Sequence, residues 1–249
     1  MNERVLGQIE TLKAMLDESK RVVFLGGAGT STESGIPDFR SADGAFRAAK
    51  EFGYPPETLL SHDFFLHQTE TFFRYYKKYL ICPDAKPNRA HRALSELERQ
   101  GKLTALITQN IDNLHTAAGT KNVLELHGSV YRNTCMRCSK AYPLETILAA
   151  DGVPICPDCG GIIKPDVVLY GEGLDEGVLR ASVKHISEAD MLIIGGTSLV
   201  VYPAAGLADY FRGKHLVVIN LSATHRDANA DLTIAAPIGE VLGAAVGVE

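Results

Sequence analysis

Four of the five cysteines fall in two Cys-x-x-Cys pairs, Cys135/Cys138 and Cys156/Cys159, with 17 residues between them. Each pair offers two thiolates on one tight turn, and two such turns complete a tetrahedral site for zinc. Four thiolates leave no open position for water, so a metal held there is structural rather than catalytic. The alternative is two redox-active pairs or a disulfide-stapled loop. Paired spacing in a chain without a secretory pattern at its start favours zinc. The fifth cysteine, Cys82, precedes Pro83 and has no sequence partner, so it reads as an ordinary packed or partly exposed thiol.

A second candidate is His127, which ends the short apolar run Val123-Leu124-Glu125-Leu126 and precedes Gly128. A neutral imidazole at such a place can take a proton near neutral pH. The other histidines carry less context: His91 and His185 fall on expected helices, and His115 sits in the loop after a strand and could be either. A third candidate is Gly26-Gly27-Ala28-Gly29-Thr30-Ser31-Thr32, directly after the apolar run Arg21-Val22-Val23-Phe24-Leu25. Glycines after a strand let backbone amides approach a phosphate, and a helix N-terminus behind them would attract the anion. Gly27 and Gly29 match the dinucleotide fingerprint, but its third glycine falls on Thr32, so a tight turn that binds nothing stays open. Pro37-Asp38-Phe39-Arg40 adds a rigid turn, an acid, an aromatic ring and a guanidinium at the loop's mouth.

These residues need a scaffold that brings strand ends together. Val5, Leu6, Ile9, Leu12 and Leu16 have helical spacing, so residues 3–18 read as an amphipathic helix. Strands are expected at 21–25, 103–108, 123–126, 167–170, 191–194, 216–219 and 232–234, each an apolar run. Asn88 caps a helix through Arg99 that Gly101 ends; a further helix covers 175–188, Pro203 marks a helix start, and a helix closes the chain. Residues 41–62 read as a long loop able to lie over a ligand. Residues 63–81 are dense in Phe and Tyr, and read as helices packing on a core rather than a surface for stacking bases. Strands alternating with helices imply an α/β fold: a doubly wound, mostly parallel Rossmann-like sheet with a smaller zinc-binding and helical domain inserted. The expected division is 1–45, 87–131 and 163–249 for the Rossmann-like domain, 46–86 for the helical module and 132–162 for a zinc ribbon.

Bulk properties narrow the classes. The chain has 249 residues, 45% of them hydrophobic, enough for one large α/β domain with an insertion. A net charge of −5 gives no electrostatic case for nucleic acid. No apolar run approaches membrane-spanning length, and an odd cysteine count argues against a secreted disulfide framework. A cytoplasmic protein with no membrane or nucleic-acid partner is expected. Hydride transfer is disfavoured, because residues 47–60 show no second strand ending in a ribose-binding acid. The ATP-binding phosphate-loop pattern is absent as well.

The whole set resembles the sirtuins of bacterial or archaeal type, NAD-dependent protein-lysine deacylases. The motifs stand in family order: Gly27-Ala28-Gly29-Thr30-Ser31 with Ser34-Gly35-Ile36-Pro37-Asp38-Phe39-Arg40, Thr108-Gln109-Asn110-Ile111-Asp112-Asn113-Leu114-His115, Leu126-His127-Gly128-Ser129, both cysteine pairs, Pro165-Asp166-Val167-Val168 with Gly171-Glu172, Gly196-Thr197-Ser198-Leu199, and Asn220. The resemblance implies NAD lying across the strand ends, with Ala28, Thr32 and Arg40 near phosphate and ribose, and Thr197, Ser198, Asn220 and Leu221 on the adenosine side. Gln109, Asn110, Ile111 and Asp112 would line the nicotinamide pocket. Acetyl-lysine would enter beside Phe39 and His127, with Val167, Val168, Leu169 and Tyr170 along the peptide.

The reaction so implied starts with attack of the acetyl-lysine oxygen on C1′ of the nicotinamide ribose. His127 then serves as general base on a ribose hydroxyl, which attacks the imidate carbon; Asn110, the second catalytic candidate, can hold a water or the ribose, and Phe39 shields the reacting carbon. Products are nicotinamide, free lysine and O-acetyl-ADP-ribose, from a monomer with bound zinc. Mono-ADP-ribosyl transfer and a non-enzymatic zinc module on a nucleotide-sensing domain are the alternatives. The chain departs from the pattern at Gly26, Thr30 and Tyr170. Relatives that prefer acidic acyl groups carry Tyr-x-x-Arg where this chain has Phe73-Arg74-Tyr75-Tyr76, so no strong desuccinylase activity is expected.

Overall fold

The computed structural model describes residues 2–37 and 49–249. Six strands form one parallel sheet: β1 (Val22–Gly26), β2 (Leu103–Thr108), β3 (Val123–Glu125), β7 (Met191–Gly195), β8 (His215–Ile219) and β9 (Leu232–Ile234). Their spatial order is β3-β2-β1-β7-β8-β9. The chain therefore runs outward on one side of β1 and returns to build the other, which leaves a crevice at the carboxyl ends of β1 and β7.

Period-two alternation explains why the strand sequences are apolar throughout. Val22 and Phe24 of β1 point to one face and Val23 and Leu25 to the other, and all four are fully buried. The first face packs under helices α1 (Glu3–Glu18), α5 (Arg89–Arg99) and α9 (Ile238–Val246), through Ile9, Leu12, Leu94, Leu97, Val241 and Leu242. The second packs against α8 (Glu176–Glu188) and a 3-10 helix, Ala204–Tyr210, through Ile186, Ala204, Ala205 and Leu207. The expected caps are present. Asn88 accepts the Ala90 and His91 N–H groups at the start of α5, and His91 Nδ1 accepts the Asn88 N–H in return. Gly101 follows the helix at φ +76, a conformation that glycine adopts without strain.

A third core lies outside the sheet. Helices α2 (Pro56–Leu59), α3 (His62–His67) and α4 (Thr69–Tyr79) carry the aromatic cluster, with Phe65, Phe72, Phe73, Tyr75 and Tyr76 buried. They share this core with Val130, Cys135, Leu144, Ile147, Cys156 and Ile163 of the cysteine-bearing segment. That segment contains α7 (Leu144–Ala149) and an antiparallel sheet in the order β5-β4-β6, made of β4 (Gly128–Cys135), β5 (Ala141–Tyr142) and β6 (Ile163–Val167).

Four local expectations change. The strand expected at 167–170 is β6 at Ile163–Val167, and it belongs to the small sheet, because Gly128 and Val167 pair across it. Among the described residues no long helix follows the glycine loop. Two single-turn 3-10 segments, Ala28–Thr30 and Thr32–Ser34, end at Gly35 in the left-handed region, so a helix dipole adds little there. Residues 49–62 are partly helical rather than loop, since α2 falls within them. His115 lies in a short helix, α6 (Leu114–Ala117), rather than a loop, and is buried.

Candidate active site and metal centre

The crevice between β1 and β7 is closed at its base by backbone against backbone. The Gly29 N–H donates to the Gly196 carbonyl at 2.8 Å, and a Cβ on Gly29 would stand 2.7 Å from the Gly196 Cα. Glycine is required on both sides by this approach. Above it opens a cavity of about 220 Å³. Its walls are Ala28, Ser31, Ile36 and Pro37 from the β1 loop, Gln109–Asp112 after β2, His127 after β3, Val167–Glu172 after β6, Leu60, Tyr79 and Leu80 from the helical module, and Val201–Pro203.

The polar groups of this wall hold one another. Asn110 Nδ2 donates to Thr30 Oγ1 and Ser31 Oγ, both at 3.0 Å. Ser31 Oγ donates to Asp112 Oδ2 at 2.6 Å, and the Leu114 N–H donates to Asp112 Oδ1 at 2.9 Å. Burial pushes the Asp112 carboxyl up, against the opposing pull of Ser31, Leu114 and Asn110. Gln109 Nε2 reaches across the crevice to Thr197 Oγ1 at 3.1 Å, and the Asn88 side chain fixes the Thr30 carbonyl at 2.8 Å.

His127 Nδ1 lies 2.9 Å from the Gln109 carbonyl. A carbonyl only accepts, so Nδ1 carries the proton and the lone pair of the neutral ring is on Nε2. This tautomer is the one a general base in the cavity requires. The His127 carbonyl receives the Val168 N–H at 3.0 Å, so His127 and the 168–170 wall are linked through backbone.

The structure brings Ala28, Gln109, Asn110, Ile111, Asp112, His127, Val167, Val168, Leu169 and Tyr170 to this one cavity. Thr32 and Thr197 stand beside it. Thr32 Oγ1 donates to the Gly29 carbonyl, and Thr197 is occupied by Gln109 and the Leu199 N–H. Ser198 and Leu221 are exposed, and Asn220 Nδ2 donates to the Ser222 carbonyl. Phe39 and Arg40 lie outside the described residues. Ser31 is the site residue that reasoning from the sequence missed. Its place between two glycine-loop residues was visible, but its bonds to Asn110 and Asp112 join segments about 80 residues apart. Arg74 is exposed over the Phe52 ring at 5.7 Å and is no part of the cavity wall.

The four cysteine Sγ atoms lie within 4.8 Å of one another. Cys135 and Cys159 are 3.4 Å apart, and Cys138 and Cys156 are 3.8 Å apart. Zinc–thiolate bonds of about 2.3 Å in a tetrahedron put sulfurs about 3.8 Å apart, so the set fits a structural zinc ion. The Tyr142 hydroxyl contacts Cys156 Sγ at 2.9 Å and the Arg137 N–H donates to Cys135 Sγ at 3.4 Å, outer contacts of the kind that orient metal ligands. The glycine-lined crevice at the strand-order reversal, with a carboxylate and two amides above it, likewise suits a dinucleotide.

Comparison with known proteins agrees with this geometry. Residues 27–203 match the model of the Sir2 family. A protein of Clostridium acetobutylicum named NAD-dependent protein deacetylase is 57% identical over 239 residues, covering 96% of this chain and 98% of the relative. A solved Sir2 complex with a p53 peptide and NAD+ is 40% identical, covers 94% of this chain and 95% of that one, and superposes with a TM-score of 0.83. A Sir2 structure with the inhibitor EX-527, 2′-O-acetyl-ADP-ribose and a deacetylated p53 peptide is also 40% identical, with the same coverage and a TM-score of 0.82.

Proposed function

The chain belongs to the Sir2 family, and on that premise we propose that it is an NAD-dependent protein-lysine deacetylase, moving the acetyl group of an acetylated lysine to ADP-ribose with release of nicotinamide. The observation that carries this reading is the contact of His127 Nδ1 with the Gln109 carbonyl, in one cavity with the Asp112–Ser31–Asn110 network.

NAD, when bound, supplies an activated glycosidic carbon, a nicotinamide leaving group and the acetyl acceptor. The chain's residues bind, orient and move a proton. Asp112 and Asn110 are held in place by Ser31 and Thr30, and offer an acceptor and an amide to a carboxamide; Gln109 and Ile111 complete that pocket. Ala28, Thr32 and Arg40 serve the phosphate and ribose side, and Thr197, Ser198, Asn220 and Leu221 the adenosine side. Thr197 acts by holding Gln109, and Thr32 by closing the loop on Gly29. His127 Nε2 accepts a proton from a hydroxyl delivered to the cavity. Phe39 shields the reacting centre from water. The acetyl-lysine peptide lies along Val167–Tyr170. Cys135, Cys138, Cys156 and Cys159 hold zinc, which ties the small module together and takes no part in the reaction.

We assign residues 1–45, 87–131 and 163–249 to the Rossmann-like domain, with 46–86 and 132–162 as inserted modules. Monomeric action on protein substrates in the cytoplasm, without nucleic acid or membrane, is our further reading. It is supported by the charge of −5 and by the described helices, none of which is long and apolar enough to cross a membrane. Acidic acyl groups are poor substrates on this reading, since Phe73 and Tyr76 are buried in the aromatic core. Mass spectrometry of an acetylated peptide incubated with and without NAD tests the function. The expected result is NAD-dependent loss of acetyl with appearance of O-acetyl-ADP-ribose; equal deacetylation without NAD overturns it.

A further inference from the structure

Glu172, the last residue of the Val167–Glu172 stretch of the cavity wall, joins three separate parts of the chain. Its Oε1 lies 2.8 Å from His62 Nδ1, while its Oε2 accepts the Leu169 N–H at 2.9 Å and Lys164 Nζ at 3.3 Å. His62 opens α3, Lys164 belongs to β6, and Leu169 lies in the wall itself. Both side-chain donors are anchored a second time. The His62 N–H donates to the Tyr170 carbonyl at 2.9 Å, and Lys164 Nζ also donates to the Val167 carbonyl at 3.1 Å.

This is not a solvated surface pair. The side chains of Glu172 and Lys164 are 22% and 18% exposed, where a carboxylate with several donors is a structural fastener rather than a screened charge. Burial works to raise the Glu172 carboxyl, but the Leu169 N–H, His62 and Lys164 outweigh it and hold it below its ordinary value.

The remaining N–H groups of the wall are also committed. The Val168 N–H donates to the His127 carbonyl and the Tyr170 N–H to the Leu60 carbonyl, both at 3.0 Å. Residues 168–170 are thus fastened at every N–H, one of them by Glu172. Leu169 is the residue between these two backbone anchors, and its N–H is the one held by a side chain. Loss of the carboxylate would free Leu169 and would leave the Lys164 ammonium without its counter-charge.

We propose that Glu172 is a positioning residue for the substrate peptide: it fixes the 168–170 wall against α3 and β6, so that peptide affinity depends on it while cofactor use does not. The proposal rests on the deacetylase reading. It separates two parts of the cavity, because the Asn110–Asp112 network is built from the β1 and β2 loops and has no bond to Glu172 among the described residues.

The test is steady-state kinetics on the full chain with an acetylated peptide and NAD, together with fluorescence anisotropy of the labelled peptide alone. Glu172→Gln should raise the peptide KM and Kd about 10-fold, with kcat and the NAD KM within about twofold. His62→Ala should move the same two quantities about threefold. His62→Asn, whose amide N–H can stand where Nδ1 stood, should restore them. His62 is outside the cavity wall, so this pair of variants separates positioning from direct contact with the peptide and carries the test if Glu172→Gln folds poorly. Unchanged peptide Kd in Glu172→Gln and His62→Ala, or an equal rise in both KM values, overturns the proposal while leaving the deacetylase reading intact. A wild type that neither binds the acetylated peptide nor deacetylates it overturns both.

Discussion

Acidification from pH 7.5 to pH 5 should cost this fold about 2 kcal/mol through His91 alone. His91 is fully buried in α5, where Nδ1 accepts the Asn88 N–H and Nε2 has no partner among the described residues. Its ring lies 4.6 Å from that of His115, which is buried on α6 with both nitrogens unpartnered among the described residues. Burial, and secondarily the Arg92 cation, push His91 down to about 4. Burial, and then His91, push His115 well below its ordinary value. A depressed folded-state value means that the unfolded chain binds the proton first. The stabilisation is therefore complete above about pH 6.5 and is lost as pH falls toward 4. With about 6.5 for the unfolded ring and about 4 for the folded one, the loss is about 2 kcal/mol at pH 5 and approaches about 3 kcal/mol below pH 4. His115 adds to it in the same direction. Urea denaturation at 25 °C across pH 7.5 to 5 measures the total. His91→Gln isolates the part due to His91, because glutamine at this helix position keeps an acceptor for the Asn88 N–H and does not titrate. Its stability should fall less by about 2 kcal/mol over the same interval. Parallel pH dependences for the two proteins would refute the reasoning.

Cys156→Ala should lose bound zinc, measured by metal analysis, and lower the melting temperature with activity falling as a consequence; a well-folded, fully active, metal-free variant contradicts the structural role. His127→Ala should reduce deacetylation by about 10²–10⁴-fold while acetyl-peptide binding by anisotropy persists, and a milder loss would remove Nε2 as the base. Gly29→Ala places a Cβ 2.7 Å from the Gly196 Cα. It should raise the NAD Kd in calorimetry at least 10-fold and lower the melting temperature, whereas near-normal affinity would show that the two loops part freely.

The sheet was readable because every strand that builds it is an apolar run, and burial on both faces demands that composition. The cysteine tetrad was readable from spacing alone, since a metal constrains ligands near in sequence. The order β3-β2-β1-β7-β8-β9 follows from alternating strands and helices with one reversal, and that reversal places the crevice beside Gly29 and Gly196. What the sequence concealed is pairing across distance. Ser31 gives no local sign that it bonds Asp112, and His91 on a helix gives none that its ring lies against that of His115. Val168–Tyr170 has the composition of a strand, but its N–H groups go to three different partners, so the run is apolar without being part of a ladder. Residues 63–81 announced a helical core, yet not that its other half comes from the zinc module.

That shared core has a consequence for synthesis. The aromatic helices end near Ile81, but the strand that completes their packing begins at Ile163, about 80 residues later. At about 5–20 residues per second, a ribosome takes roughly 4–16 s to deliver it. For that interval Phe65, Phe72, Phe73 and Tyr76 are made but not yet covered by their final partners. The nascent chain passes through a window in which its most aromatic segment has only transient contacts, and the arrival of β6, directly after Cys156 and Cys159, closes it.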